Sequence, residues 1–381
     1  MRVLYVAPRY HTNQIAVMDG WIKNGDEVYF LSHYAGQVED HSLVTPFVLG
    51  YSRIFSLIEW CYMFIKRKKE NAMDFRLKFG IPPAFKLNKA LKKFSPEIVI
   101  TRERSVYSIL VTLLCRFHHY PVILYNQSPL WENDIKRDFA HRLIYSLTPS
   151  YRITPVFCFG GSIEKKVKDR NAFFLPFLMN PNLDPAHKKY FAGNCIHIFA
   201  IGKYQERKNH LMLIEVLEEL SKNYPIRLVI AGEVSNNFHE AYYNKIRNYI
   251  AVNRLEDKVE LKVNLTRKEI FDYYKNSDLY VLCSTAEPAA ISHLEAMSFS
   301  LPVISGENNG TASYVEEGIN GYICKDNNKE DLKNKIEAII IDREKLKKMG
   351  AESYRLVCEK YQFSFYHKKI LEILELINQE K

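Results

Sequence analysis

The chain has 381 residues, 47% hydrophobic and 25% charged, with a formal net charge of +9. That composition describes a folded protein with room for two cores rather than a disordered chain, and no apolar run approaches the roughly 18 residues a membrane-spanning helix requires. Its seven cysteines form no C-x-x-C pair, which argues against a zinc site and a disulfide framework and implies a reducing, cytoplasmic setting.

The N-terminus, Met1-Arg2-Val3-Leu4-Tyr5-Val6-Ala7-Pro8, reads as a buried strand stopped by proline, not as a signal peptide. Residues 13–24 are expected as a helix, and Gly25 introduces a second strand over 27–31. The loop between strand and helix lacks G-x-G-x-x-G, so a dinucleotide fingerprint is absent. His11 and Asn13 stand on that loop, either as site residues or as part of a cap on the next helix.

Residues 52–93 carry a helical pattern. Trp60, Tyr62, Phe64 and Ile65 lead into Lys66-Arg67-Lys68-Lys69, and Arg76, Lys78, Lys86, Lys89, Lys92 and Lys93 follow. Residues 60–93 hold ten basic and two acidic residues, and residues 1–185 hold 25 Lys+Arg against 16 Asp+Glu, which is the whole excess of +9. Rings interleaved with cations suit an anionic membrane surface or a phosphate-bearing acceptor. A core helix with a solvated basic face would produce the same pattern. No nucleic-acid module accompanies the charge.

A strand over 96–101 ends in Arg102-Glu103-Arg104, and one over 121–125 delivers Asn126-Gln127-Ser128-Pro129. The carboxyl ends of parallel strands face the ligand crevice, so Arg102 suits an anion and Gln127 suits sugar hydroxyls. Arg102 could equally neutralise Glu103. Segments 153–158 and 173–177 close the first half, and 179–185, polar and proline-marked, is the expected linker.

The second half restarts with a strand over 196–201 and Gly202. Lys203-Tyr204-Gln205-Glu206-Arg207-Lys208-Asn209 then leads into a helix over 211–220. A strand, a glycine turn and cations at a helix start make a cradle for a diphosphate. A strand over 227–231 runs into Gly232 and Glu233. A helix through 250, a strand over 259–261 and a helix over 266–277 come next.

The most informative stretch is 284–305. Glu287 and Glu295 stand with seven residues between them, after the apolar run 279–283 and before 301–304. That order is a βαβ unit. Pro288 suits the first position of a helix, so Glu287 is expected at a strand end beside a helix N-terminus, with Glu295 about two turns further on. Two solvated helix-end glutamates would be the bland alternative.

This stretch, E-P-x-x-x-x-x-L-E-A-M-x-x-x-x-P-V-I, resembles the signature of retaining glycosyltransferases of family 4. The segment from Gly202 to Asn209 resembles that family's G-R-x-x-x-x-K-G, with Lys203 in place of Arg and Asn209 in place of the second Gly. Residues 227–233 resemble L-x-I-x-G-x-G with Glu233 for the last Gly, and Asn309-Gly310-Thr311-Ala312 resembles the family's glycine loop.

The resemblance implies the GT-B fold, an α/β architecture of two Rossmann-like domains with parallel sheets facing across a cleft. The acceptor domain would span 1–180 and the donor domain 186–360, with a final helix over 361–381 returning to the first. It implies sugar transfer from a nucleotide-sugar to a hydroxyl with retention of configuration. In that scheme Glu287 lies beside the donor sugar, Glu295 holds the ribose, and Lys203 and Lys208, assisted by Arg207, neutralise the diphosphate. Gly202, Gly232, Ala290 and Ile291 are expected at the donor; Arg102, Asn126, Gln127, His11 and Asn13 at the acceptor or sugar.

Further departures from the family bear on the site. Ala289-Ala290 replaces Phe-Gly, and Asn126-Gln127 replaces a His-Asp pair, so no general base is assigned. No cofactor is expected, the nucleotide-sugar being a co-substrate, and no metal, since D-x-D is missing. A glycan or lipid-linked acceptor and a peripheral place on the inner membrane face complete the expectation. The rivals are a nucleotide-sugar epimerase on the same fold and a non-catalytic sugar-nucleotide-binding subunit.

Overall fold

The computed structural model describes residues 1–10, 14–36, 41–65, 72–103, 105–133, 139, 142, 151–160 and 163–380. The chain forms two units. The first comprises Met1–Pro155, Lys166–Leu178 and Phe363–Lys381; the second comprises Val156–Lys165 and Met179–Gln362.

The first unit is built on seven parallel strands: β1 (Arg2–Val6), β2 (Glu27–Ser32), β3 (Phe47–Val48), β4 (Ile98–Arg102), β5 (Val122–Tyr125), then, past the short β6 (Trp131–Glu132), β7 (Tyr151–Thr154), and, past β8 (Val167–Lys168), β9 (Ala172–Phe174). Their order across the sheet is β3-β2-β1-β4-β5-β7-β9. Alternate residues of β1 serve opposite faces, the period-2 rule at work. Val3 and Tyr5 join Ile98, Ile100 and the final helix Phe363–Gln379, whereas Leu4 and Val6 join Leu87, Leu91, Val111 and Cys115. The final helix is bound there by polar as well as apolar contact. Tyr366 shares a hydrogen bond of 3.0 Å with Tyr5, whose hydroxyl also accepts from Trp21 Nε1 at 2.9 Å.

The second unit carries a six-stranded parallel sheet: β10 (Ile196–Ile201), β11 (Ile226–Gly232), β12 (Val259–Val263), β13 (Leu279–Leu282), β14 (Val303–Gly306) and β15 (Gly321–Cys324), in the order β12-β11-β10-β13-β14-β15. Its central strands β10 and β13 read as near-continuous apolar runs, the pattern of strands covered on both faces. The crossover between β10 and β13 brings the turns after both strands to the same end of the sheet.

Three segments add detail to the sequence expectations. Among the described residues, the helical stretch 52–93 holds the helices Arg53–Ile65, Ala72–Phe79 and Ala84–Phe94, the last two separated because Gly80-Ile81-Pro82-Pro83 cannot continue a helix. The expected linker is stitched down: the Asn182 and Leu183 amides both donate to the Ser298 carbonyl at 2.9 Å, and Asn182 Nδ2 reaches Ser298 Oγ at 2.8 Å. Its backbone and Asn182 thus cap the end of the helix that carries Ser298. Finally, Val156–Lys165, expected inside the first domain, groups with the second unit.

Candidate functional site

The cations and the acid of the second unit meet through backbone stitching between two turns far apart in sequence. After β10 the chain makes a 3₁₀ turn, Glu206–Lys208, and enters the helix His210–Leu220 through Asn209. Asn209 has φ 54, a left-handed conformation that asparagine tolerates better than most residues. This explains why it stands where the family has glycine. Its Nδ2 donates to the Cys283 carbonyl at 3.0 Å, at the end of β13, and the Thr285 amide donates back to the Arg207 carbonyl at 2.8 Å. The turn that follows β10 is thereby held against the turn that follows β13.

The result is a three-charge cluster on one oxygen. Arg207 Nη1 lies 2.6 Å and Lys208 Nζ 2.5 Å from Glu287 Oε2. Lys208 is 7% exposed and Glu287 8%. Burial alone would raise the Glu287 carboxyl, but the Lys208 and Arg207 charges outweigh it and hold the group below the ordinary glutamate range. Burial also lowers Lys208; Glu287 opposes that, and the neighbouring Arg207 and Lys203 charges reinforce it. Glu287, held below the ordinary glutamate range, is a carboxylate at neutral pH, set between the Arg207 and Lys208 side chains.

The Glu287 turn is fixed from behind by the glycine loop. Gly310 N donates to the Glu287 carbonyl at 2.9 Å, and a Cβ on Gly310 would lie 1.8 Å from the Pro288 oxygen, so only glycine can approach this closely. Thr311 Oγ1 lies 2.9 Å from the Ala290 carbonyl and 2.9 Å from Nδ1 of fully buried His293, whose pKa burial pushes down to about 3. The imidazole is neutral and structural. Ala286, immediately before Glu287, has φ 48, a strained value for a residue with a Cβ.

This geometry corrects the expected start of the helix. Pro288 does not open it; Ser292–Ser298 begins four residues later, because Glu287 pairs as a β-bridge with Asn309. Glu295 consequently sits in the first helical turn rather than two turns along. It accepts from the Tyr274 hydroxyl at 3.2 Å; burial pushes its carboxyl up, while Arg267 and Tyr274 draw it down. Tyr280 lies 5.7 Å from the Tyr274 ring and 6.0 Å from the His293 ring, and its hydroxyl senses both Glu287 and Glu295.

The remaining donor-side residues divide. Lys203 turns to Glu233, 3.1 Å away, both half-exposed, instead of joining Glu287. Gly202 leaves room for the Lys208 stem, since a Cβ there would stand 3.0 Å from Lys208 Cδ and Cε. Gly232 lets the backbone close on itself, a Cβ falling 2.5 Å from the Gly202 oxygen and 2.6 Å from the Tyr204 ring. Ala290 is buried and contributes its carbonyl to Thr311, and Ile291 precedes the helix.

In the first unit, the carboxyl ends of β4 and β5 separate the acceptor candidates. Arg102 and Gln127 line a mainly apolar cavity of about 120 Å³ with Tyr5, Tyr125, Phe177 and Tyr366. Gln127 Nε2 lies 3.3 Å from the Tyr125 hydroxyl. Asn126 points elsewhere: its Nδ2 donates to Glu103 Oε2 at 2.6 Å, and Glu103 Oε1 accepts from Arg152 Nε at 3.0 Å, with Nη2 at an ion-pair distance of 2.9 Å. Arg152 is thus a partner of Glu103. An arginine inside the strand Tyr151–Thr154 was the signal that could have revealed it, since a buried guanidinium requires an acid. His11 and Asn13 lie outside the described residues. Among the described residues no group of three or more His, Cys, Asp and Glu is placed to hold a metal.

Residues 186–356 match the family model described as glycosyl transferases group 1. An uncharacterized glycosyltransferase of Haemophilus influenzae is 29% identical over 203 residues, 52% of this chain and 53% of that one, so the match spans about half the length of the relative. Among solved structures, a glycosyltransferase from Rickettsia africae superimposes with a TM-score of 0.74 at 16% identity, over 100% of this chain and 99% of the other. The Anabaena protein HepE, solved in complex with UDP, gives 0.70 at 13% identity over 98% and 100%. The second unit therefore matches the glycosyl transferases group 1 model across residues 186–356, and the chain as a whole has the GT-B fold of these glycosyltransferases.

Proposed function

We propose that this protein is a retaining hexosyltransferase that moves a sugar from a nucleotide-sugar to a hydroxyl of a glycan or lipid-linked acceptor. The observation that carries the reading is the pairing of Arg207 and Lys208 with a single oxygen of Glu287, inside the segment that matches the glycosyl transferases group 1 model. HepE was solved with UDP, which supports a nucleotide-linked donor for this chain.

The difficult step is departure of the nucleoside diphosphate from an oxocarbenium-like centre. Negative charge grows on the leaving oxygen, and preorganised cations lower the barrier most where water is excluded. Lys208 is buried and already held in place, Arg207 lies beside it, and the start of the helix His210–Leu220 adds its partial positive charge. Lys203 supplies a further cation at the rim. In this reading the charge is met by protein cations, without a metal ion. Glu287 remains ionised beside the sugar, and Glu295, oriented by Tyr274, takes the ribose hydroxyls. Gln127 and Arg102 contact the acceptor from their cavity.

The acceptor belongs, in this reading, to cell-surface polysaccharide or lipopolysaccharide assembly, presented at the cytoplasmic face of an anionic membrane. The basic excess of residues 1–185 supports that placement. Among the described residues no helix is long and apolar enough to cross a membrane.

The test is incubation of the purified protein with UDP-, GDP- and ADP-sugars, following free nucleotide. Release that disappears in Lys208→Met is expected. A changed sugar without release would make the protein an epimerase; binding without turnover would make it a sugar-nucleotide-binding subunit.

A further inference from the structure

The helix Arg53–Ile65 presents its apolar side outward. Ile54, Leu57, Trp60, Phe64 and Ile65 are 63–76% exposed, Ile58 is 45% exposed, and Cys61 is exposed with them. At about 100° per residue these seven positions fill an arc of roughly 160°. A helix whose apolar arc served the core would bury it; here Phe55 is the buried residue of the helix. The inner side is occupied by rings: Phe55 stacks on Tyr51 and Phe75 at centroid distances of 5.2 and 5.8 Å, and Tyr62 stacks on Phe75 at 4.0 Å. Inward packing is thus satisfied without the exposed arc.

Charge indicates what covers that arc. The one carboxylate of the helix, Glu59, is held by Arg76 through Nε at 2.5 Å and Nη2 at 3.1 Å. The exposed arc itself therefore carries no acid. The Ser52 amide donates to the Ile81 carbonyl at 2.8 Å, so this helix starts beside the start of Ala84–Phe94. On that second helix Phe85, Lys86, Lys89, Lys92 and Lys93 are all exposed and fall within an arc of about 120° by the same geometry. Leu87, Ala90 and Leu91 occupy the buried side. Exposed rings and aliphatics on one helix, with exposed lysines on a helix that starts next to it, match a lipid headgroup boundary, where rings insert and cations meet anionic lipid. A second copy of the same surface would set lysines against lysines.

We propose that Arg53–Ile65 lies in the surface of an anionic bilayer, with the lysine face of Ala84–Phe94 on the headgroups. This deepens the proposed function by naming the surface that would bring the protein to a membrane-linked acceptor, and it rests on that reading only for the identity of the acceptor. The apolar part begins upstream of the segment 60–93 to which sequence pointed, and residues 66–71 are not needed for it.

The test uses the full chain and vesicles of phosphatidylcholine with or without phosphatidylglycerol, in the absence of any nucleotide-sugar. Co-sedimentation is expected with the anionic vesicles and at least tenfold less with neutral ones. Leu57→Gln/Phe64→Gln should lose at least tenfold in binding while keeping its thermal midpoint and nucleotide release. Phe238→Gln, which removes a ring 87% exposed on the second unit, should bind as the parent does. Equal binding by the double variant, no binding by the parent, or a parent dimer that the double variant converts to monomer would each overturn the proposal, the last in favour of a second copy. Because no donor is present, vesicle binding and sugar turnover can fail independently.

Discussion

Each unit holds a buried glutamate against guanidinium or ammonium groups, and the two arrangements differ in one respect. In the first unit Glu103 and Arg152 are 0% and 2% exposed, with Asn126 taking the second oxygen. That pair is shut away from solvent. In the second unit Glu287 meets both Arg207 and Lys208, and the Arg207 side chain remains 38% exposed. One carboxylate cannot neutralise two cations, so the cluster keeps a surplus positive charge with access to solvent. A buried ion pair is weak evidence of function, because structural networks look the same residue by residue. Access to solvent distinguishes these two.

The comparison breaks most decisively by exchanging one cation for methionine in each unit. Arg152→Met takes the buried guanidinium away from the Glu103 carboxylate and should cost about 3–5 kcal/mol of stability; urea unfolding measures this, while nucleotide release per folded molecule stays near parent. Lys208→Met should do the reverse. Removing one preorganised donor typically costs about 10²–10³-fold in turnover. Stability should move by less than about 1 kcal/mol, since Arg207 still neutralises Glu287 and a desolvated ammonium is gone. If Lys208→Met unfolds the protein but spares turnover, the cluster is structural after all.

A smaller effect is expected at Gly310. Adding a methyl where a Cβ would lie 1.8 Å from the Pro288 oxygen forces the Glu287 turn aside. Gly310→Ala should lose about 1–3 kcal/mol, the usual range for overpacking, and should slow nucleotide release beyond what the unfolded fraction explains.

Acid titration sharpens the contrast further. The pKa of Glu287 is lowered from its ordinary 4.5, so in the folded state it releases its proton more readily than in the unfolded chain. Its stabilising contribution is complete above about pH 4.5 and is lost as pH falls through the depressed folded value. The gap in thermal midpoint between the parent and Glu287→Gln should therefore be constant near neutrality and narrow below pH 4.5. A gap that widens on acidification would reverse the sign and refute the assignment.

The smallest effect concerns Ala286. A left-handed conformation costs a residue with a Cβ about 1–2 kcal/mol, and glycine returns about 0.4–1 kcal/mol of that as chain entropy. Ala286→Gly should thus stabilise the protein by about 0.5 kcal/mol. If the strain serves turnover, the more stable variant will also be slower.

Much of the framework was legible in the chain itself. Apolar runs such as Ile98–Arg102 and Leu279–Leu282, punctuated by proline and glycine, dictate parallel strands because both faces of each must be covered. The acids at 287 and 295 and the cations at 203, 207 and 208 could be picked out by type and spacing. Their partners could not. Lys203 and Lys208 look alike in sequence, yet one meets Glu233 at the rim and the other Glu287 in the interior. Asn126 and Gln127 are adjacent, yet one serves Glu103 and the other lines the cavity. Glycines 202 and 232, expected at the donor, answer to packing against Lys208 and Tyr204.

Periodicity along the chain thus determined which segments became strands and helices, because that choice depends on residues a few positions apart. It also marked residues 52–93 as helical, with rings and cations interleaved from Trp60 onward, without saying which side would face out. Which charge meets which, and which apolar face is left over, was decided only by tertiary structure. Arg207 and Lys208 reach an acid some 80 residues away because Asn209 and Thr285 bind two turns together. Electrostatic and packing energies depend on distance through space, and that distance does not exist until the sheet has closed.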